Sequence, residues 1–205
     1  QLLAGGVDSP DELTDLITSE VDRIVTLIDR MEDFTDTRPL DLAGHNIYPL
    51  LSHARSLAEA GFAAAVEIEE SYDPSLPPAL LDRDAFVQVM LNLLKNAAEA
   101  AQGREGARIE IATAFHHGMS ISTGPGEPRR PLPIEITVSD NGPGAPPDIA
   151  EHLFEPFVSG KPEGKGLGLP LVDKLVRDMG VIIHYVREEG DAPMTRFRLF
   201  LSRMQ

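Results

Sequence analysis

The chain has 205 residues, is 42% hydrophobic and carries a formal net charge of −15. That is enough apolar material for a real core in one large domain, or in a domain with an appendage. The acidity, with no Lys/Arg run beyond Arg129-Arg130, argues against nucleic-acid binding. No stretch approaches the eighteen apolar residues of a membrane span, and no signal-peptide pattern is present. The absence of cysteine excludes disulfides and thiolate metal sites and fits a cytoplasmic protein. Any anionic ligand must find its positive charge locally, in backbone amides, a few lysines or Mg²⁺.

In chain order, Ser9-Pro10-Asp11-Glu12 predicts a helix start, with Ser as N-cap, Pro at N1 and Glu at N3. The helix is expected to run to about Phe34. Ile17, Val21, Ile24, Ile28 and Met31 are spaced 4, 3, 4, 3, which is a bundle or coiled-coil seam that one helix cannot bury alone. Thr35-Asp36-Thr37-Arg38-Pro39 reads as a linker. A helix is predicted over Ile47–Ala60 and a strand over Ala64–Glu70, where Val66 and Ile68 alternate with glutamates.

Asp82–Gln102 is the next predicted helix. Phe86, Val89, Met90, Leu93, Leu94 and Ala97 share its apolar face, and Asn92 and Asn96 lie four apart on the other, with Gln88, Lys95 and Glu99 near them. A solvated polar face is the plain explanation. Asn is a poor helix former, however, and two of them mid-helix ask for a reason. Amide oxygens that complete the coordination of Mg²⁺ would supply one.

Strands are predicted over Ala107–Phe115 and Ile134–Ser139, separated by a Gly/Pro/Ser-rich hairpin excursion at 116–133. His116-His117 within it is not read as a metal site, because adjacent strand residues point oppositely. The second strand ends in Asp140-Asn141-Gly142-Pro143-Gly144, and a second glycine turn follows at Gly164-Lys165-Gly166-Leu167-Gly168-Leu169. Glycines bare the backbone N–H groups and a helix N-terminus adds partial positive charge, so phosphate is the natural ligand there. Asp140 suits a different partner, an exocyclic amine such as that of adenine. Residues 145–163, with Pro146, Pro147, Pro156 and Pro162, read as a lid, in which Phe154 and Phe157 either pack or dock. Lys161 and Lys165 are candidates to touch phosphate. A helix over 168–179 and adjacent strands over Val181–Val186 and Arg196–Leu201 complete an order α, β, α, β, β, α, β, β, a helical layer on one mixed sheet.

Asn92-Leu93-Leu94-Lys95-Asn96, Asp140–Gly144, Leu153-Phe154-Glu155-Pro156-Phe157 and Gly164–Leu169, in that order, resemble the N, G1, F and G2 boxes of sensor histidine kinases. The resemblance implies an α+β fold, the two-layer α/β sandwich of the GHKL type, over residues 39–205, with an N-terminal bundle helix. Residues 1–38 would be part of the dimerisation and histidine-phosphotransfer hairpin, so a homodimer through that helix is implied. It also implies that ATP and Mg²⁺ are bound. Asp140 would take the adenine amine and Thr195 would help hold the adenine edge. Asn96 would coordinate Mg²⁺, with Asn92 and Lys95 beside it at the phosphates. Gly142, Gly144, Gly164, Gly166 and Gly168 would shape the pocket, and Lys161, Lys165, Leu167 and Leu169 would line its phosphate end. Tyr72-Asp73-Pro74-Ser75-Leu76-Pro77, Thr113-Ala114-Phe115 and Val158-Ser159-Gly160-Lys161 further resemble the nitrogen-regulation kinases of the NtrB family. Those imply a soluble enzyme, an NtrC-like response regulator and a PII-type signal protein as partners.

One departure bears on activity. None of the six histidines, His45, His53, His116, His117, His152 and His184, is followed by Asp or Glu as the family's phosphoacceptor is. That histidine is expected outside this chain, which therefore would not phosphorylate itself. Two other readings compete. A water-activating GHKL ATPase or serine kinase is disfavoured because Asn92 stands where those enzymes carry a basic Glu. A non-catalytic dimerising scaffold is disfavoured by the intact Asp140, Asn96 and glycines.

Overall fold

The computed structural model describes Thr14, Thr18, Val21 and residues 38–122, 129–160, 166–190 and 192–204. The chain divides into two compact units, Gln1–Arg38 and Pro39–Gln205. Of the helix predicted over 9–34, three positions are described. Thr14, Thr18 and Val21 are helical and exposed, and the Thr18 hydroxyl donates to the Thr14 carbonyl at 2.8 Å. The rest of its seam lies outside the described residues.

The second unit is built on a five-stranded sheet. Its strands are β2 (Glu67–Ser71), β4 (Arg108–Phe115), β7 (Ile134–Asp140), β8 (Ile182–Glu188) and β9 (Met194–Leu201), in the order β2-β4-β7-β9-β8. β2 and β4 run parallel and the other neighbours antiparallel, so the sheet is mixed. Helices α1 (Ile47–Ala60), α2 (Arg83–Ala101) and α4 (Gly168–Asp178) form the second layer, with α2 packed between α1 and α4. A single turn of helix, α3 (Pro147–Ala150), lies in the predicted lid. Leaving aside this turn and two short strand pairs, the order is the predicted α, β, α, β, β, α, β, β.

The packing follows from the alternation. Ile134, Ile136 and Val138 of β7 and Ile109 and Ile111 of β4 are all at most 1% exposed. They meet Phe86, Met90, Leu93 and Leu94 of α2, also at most 1% exposed. A buried Leu or Phe contributes about 2 kcal/mol by removal from water. Asp82 starts α2 by accepting from the Asp84 and Ala85 amides at 3.0 and 2.9 Å, an N-cap that aims the whole asparagine-bearing helix.

Several boundaries differ from the sequence reading. β2 starts at Glu67 rather than Ala64, because Gly61 and Ala63 both donate to Ala58 and Val66 donates to Ala63. That turn uses the amides a ladder would need. β9 starts at Met194, two residues before the predicted Arg196, which places Thr195 inside the strand. The strands β1 (Ala43–His45) and β3 (Ala79–Leu81) pair with each other and are too short for periodicity to register. The 116–133 excursion contains a real hairpin, β5 (Ser120–Ile121) with β6 (Arg130–Pro131). His116 and His117 have separate partners there, Glu135 at 2.6 Å and the Phe115 ring edge-on at 4.7 Å.

Candidate functional site

The site starts from a strand register. Asp140, the last residue of β7, is opposite Ile109 of β4 and Thr195 of β9. A carboxylate and a hydroxyl thus stand side by side on the helix-facing side of the sheet. Both are almost fully enclosed, Asp140 at 2% and Thr195 at 4% exposure. Burying a carboxylate is expensive unless it is hydrogen-bonded. Here the Gly142 amide donates to Asp140 Oδ1 at 2.8 Å.

The turn after Asp140 is held on every side. Asn141 faces the other way and staples it to the start of β4. Its Oδ1 accepts from the Arg108 amide at 3.1 Å and its Nδ2 donates to the Gly106 carbonyl at 2.7 Å. Gly142 lies against the end of α2. A Cβ there would stand 2.6 Å from Asp140 Oδ1, 2.7 Å from Ala100 Cβ and 2.8 Å from the Ala100 carbonyl oxygen, so only glycine fits. Gly144 adopts φ +76°, the left-handed region that favours glycine.

Strand β8 supplies two fastenings that no motif names. The Arg187 guanidinium Nη1 donates to the Gly142 carbonyl and to Thr195 Oγ1, both at 2.9 Å. The Ala145 amide donates to the Tyr185 hydroxyl at 3.0 Å. Neither residue stood out in the sequence. The available signal was that Ile183, Tyr185 and Arg187 alternate onto the helix-facing side, where an arginine needs a reason.

The other end of the site lies along α2. Asn92 Nδ2 donates to the Gln88 carbonyl at 2.9 Å. Its Oδ1 faces the start of α4, 3.3 Å from where a Cβ on Gly168 would be. Asn96 carries a side-chain Nδ2 that is buried with no hydrogen-bond partner. Such an orphan costs free energy and marks an amide that the protein alone does not satisfy. Lys95, half-buried, sits beside it on α2. Helix α4 begins at Gly168 with Leu167 as N-cap and no side-chain capping bond, so its first amides carry the helix's partial positive charge unopposed. Gly168 and Leu169 lie in that first turn. The arrangement sets a buried carboxylate and hydroxyl near the C-terminal end of α2 and an anion-favouring helix terminus beside the asparagines at its middle.

Between them, Phe154 docks edge-on against Phe197, ring centroids 6.5 Å apart. Phe157 does not dock. It is 73% exposed and holds φ +67°, with its amide donating to the Gly166 carbonyl at 2.9 Å. Gly166 touches that backbone so closely that a Cβ would come within 2.6 Å of the Phe157 carbonyl carbon. Lys161, Gly164 and Lys165 lie outside the described residues. The structure thus brings together Asp140, Gly142, Gly144 and Thr195 around one end, and Asn92 and Gly168 at the other.

Comparison with known proteins gives a consistent answer. Residues 81–205 match the family model described as histidine kinase-, DNA gyrase B-, and HSP90-like ATPase. The chain is 49% identical over 202 residues to the sensory histidine kinase/phosphatase NtrB of Rhizobium meliloti (strain 1021), covering 98% of this chain and 52% of that protein. Against the protein of that name from Escherichia coli O157:H7 the identity is 32% over 203 residues, covering 98% and 55%. The chain therefore spans about half the length of the curated relatives it matches. Among solved structures, full-length ShkA in complex with AMPPNP superposes with a TM-score of 0.69 at 22% identity, covering 96% of this chain and 40% of that one. Histidine kinase ThkA in complex with response regulator protein TrrA gives 0.66 at 21%, covering 96% and 53%. At those identities the structures speak to the fold alone. No helix among the described residues is long and apolar enough to cross a membrane.

Proposed function

The chain belongs to the histidine kinase-, DNA gyrase B-, and HSP90-like ATPases, and from that membership we propose that it is the Mg-ATP-binding catalytic region of a two-component sensor histidine kinase. It transfers the γ-phosphoryl group of ATP to a histidine outside this chain, and from there the group passes to an NtrC-type response regulator in nitrogen regulation. The observation that carries this reading is the enclosed pair of Asp140 and Thr195, set about two turns of α2 from Asn92 and the N-terminus of α4. From Asn92 to Ala100, which packs on Gly142, α2 rises about 12 Å. That is room for a nucleoside with its phosphates laid along the helix.

In this assignment Asp140 accepts from the adenine amine and Thr195 holds the adjacent edge. Gly142 and Gly144 let the backbone approach the base. Gly164, Gly166, Leu167, Gly168 and Leu169 present amides to the phosphates, with Lys161, Lys165 and Lys95 as the cationic side chains. Asn96 would hold Mg²⁺ through its amide oxygen, its unpartnered Nδ2 being a donor suited to a phosphate oxygen, and Asn92 would support the phosphates beside it. Mg²⁺, when bound, neutralises phosphate charge.

The chemistry asks the protein mainly for position and charge neutralisation. The incoming imidazole nitrogen attacks the γ-phosphorus in line. The bond from that phosphorus to the bridging oxygen breaks, and ADP leaves with the electron pair. The imidazole proton passes to the acidic neighbour of that histidine, which also lies outside this chain. Asn92 stands where a water-activating base would be, and an amide nitrogen cannot take a proton from water. Phosphoryl transfer to a histidine is therefore favoured over hydrolysis.

Residues 1–38 are assigned to the dimerisation and phosphotransfer hairpin, so the whole protein is a homodimer through that helix. The names of its relatives support an NtrC-type regulator as the acceptor protein, and nitrogen regulation brings a PII-type signal protein and a cytoplasmic location with it. Calorimetric titration of Mg-ATP into the chain and into Asp140→Ala is the first test, followed by phosphotransfer to an added histidine-bearing segment. Binding by the parent and none by the variant is expected. A folded parent that binds no nucleotide overturns the assignment.

A further inference from the structure

We propose that Arg187 is a specificity-determining positioning residue, which fixes the Thr195 hydroxyl as a hydrogen-bond donor to the ring nitrogen beside the adenine amine. The proposal rests on the nucleotide-binding assignment above and names a residue outside every glycine or asparagine motif of the chain.

The argument is one of donor and acceptor roles. A guanidinium has donors only. Because Arg187 Nη1 lies 2.9 Å from Thr195 Oγ1, the oxygen must accept there, and the hydroxyl hydrogen must point elsewhere. The same Nη1 donates to the Gly142 carbonyl at 2.9 Å, so one nitrogen ties the turn to the strand. Arg187 has little freedom to leave. Its side chain is 19% exposed, and its Cδ and Nε lie 3.0 and 3.2 Å from where a Cβ on Gly144 would be. The strand also delivers Tyr185 to the Ala145 amide, so the inward face of β8 grips the whole turn.

The consequence is a fixed polarity. Asp140, opposite Thr195 in the register, can only accept, as a carboxylate. Thr195, with Arg187 on one lone pair of its oxygen, has its only hydrogen turned away from the guanidinium and set to donate. An acceptor beside a donor complements an exocyclic amine beside an unprotonated ring nitrogen, which is the edge of adenine. Guanine presents a carbonyl in place of the amine, beside an N–H on one side and an unprotonated N7 on the other, and on either edge would set its oxygen against the Asp140 carboxylate. The motif residue Asp140 reads the amine. Arg187 makes Thr195 read the nitrogen.

Deaza nucleotides test this, because each removes one atom. ADP, 1-deaza-ADP, 7-deaza-ADP and purine riboside diphosphate, which lacks the amine, are titrated by calorimetry into the parent, Arg187→Met, Arg187→Lys and Thr195→Val. In the parent, one of the two deaza analogues should bind about tenfold more weakly than ADP, one lost hydrogen bond, and so identify the nitrogen. In Arg187→Met that preference should vanish, while the preference for ADP over purine riboside diphosphate, set by Asp140, remains. Arg187→Lys, which still donates to Thr195, should restore part of it. Thr195→Val keeps the shape of the site without the hydroxyl and should match Arg187→Met, so a methionine variant that fails to fold does not end the test. Retention of the full deaza preference by Arg187→Met or by Thr195→Val overturns the proposal. So does a parent that binds ADP and both deaza analogues equally. A parent that binds no ADP at all instead refutes the nucleotide assignment beneath it.

Discussion

Replacing Gly142 by alanine separates two reasons for a glycine that are usually confounded. Gly142 is not among the positive-φ glycines, so an L-residue is not strained there by its backbone. The obstacle is space. The added methyl would stand 2.6 Å from Asp140 Oδ1, 2.7 Å from Ala100 Cβ and 2.8 Å from the Ala100 carbonyl oxygen. Two of these atoms belong to α2, the central helix, and cannot swing aside as a flexible side chain would. Overpacking of this kind costs about 1–3 kcal/mol. If the turn moves instead, the 2.8 Å bond from the Gly142 amide to Asp140 is weakened. A hydrogen bond to a charged group is worth about 1.5–3 kcal/mol. Taking about 3 kcal/mol for the two together, a unit of this size should melt about 6–12 °C lower. Because the methyl meets the carboxylate itself, ADP affinity should fall about a hundredfold in the fraction that stays folded. Gly103→Ala is the matched control. It has φ +76° and nothing within 4 Å of the new Cβ, so it should cost about 1–2 kcal/mol of backbone strain and leave ADP affinity alone. Thermal melts by circular dichroism and calorimetric titration read both quantities. An unshifted melt with ADP affinity within threefold of the parent for Gly142→Ala would refute the steric argument.

Other expectations follow from the same geometry. Asn96→Ala removes an amide nitrogen with no partner, so its melting temperature should stay within about 2 °C of the parent. The gain in ATP affinity on adding Mg²⁺ should be lost, as titrations with and without the ion would reveal. Phe154→Ala breaks the edge contact on Phe197, worth about 1 kcal/mol beyond the buried area, and should raise proteolytic cleavage within 150–160 at unchanged global stability. Glu135 makes a pH prediction. Burial raises its pKa, but bonds from Arg198, His116 and Thr137 outweigh this and hold it below the ordinary carboxylate value. A depressed folded pKa means stability that is present above the unfolded value of about 4.5 and lost as pH falls through the folded one. Glu135→Gln should therefore melt lower than the parent near neutral pH, by about 2 kcal/mol for the weakened Arg198 pair. The difference should narrow as pH falls below the unfolded value, and a gap that does not narrow in acid would contradict it.

Much of this molecule was legible because its chemistry is local. Two asparagines four apart on one helix face, a carboxylate at a strand end and glycines after it are visible without any tertiary knowledge. The structure puts Asp140 at the end of β7 and Asn92 against Gly168. What the residue pattern alone does not show depends on register. Thr195, named only through the family resemblance, meets Asp140 because β9 begins at Met194 and pairs antiparallel with β7, and a strand's start is poorly marked when a turn residue precedes it. Arg187 is near Gly142 across forty-five residues of chain, and an isolated arginine in a strand has no signature. Phe157 was read as packed or docked, yet it is exposed at φ +67°. Its backbone conformation follows from the bond to Gly166, a contact that spacing alone does not express.

The two ends of the site are made differently, and the acidity of the chain explains why. Four described arginines are paired with nearby carboxylates: Arg55 with Glu59 and Glu70, Arg177 with Asp173, Arg196 with Glu188 and Arg198 with Glu135. A polyphosphate approaching a molecule of net charge −15 is repelled at long range, within the reach of about 8 Å that physiological salt allows. Under the proposed function it would be recaptured by the α4 terminus and by a metal ion. The base end needs none of these. It consists of strand residues enclosed to a few per cent and bonded to one another, so its geometry exists before any ligand arrives. Under the proposed function, base recognition falls to this enclosed strand pair and phosphate recognition to the α4 terminus. In the proposed transfer to an incoming histidine, that division places the grip on the base away from the bond that breaks.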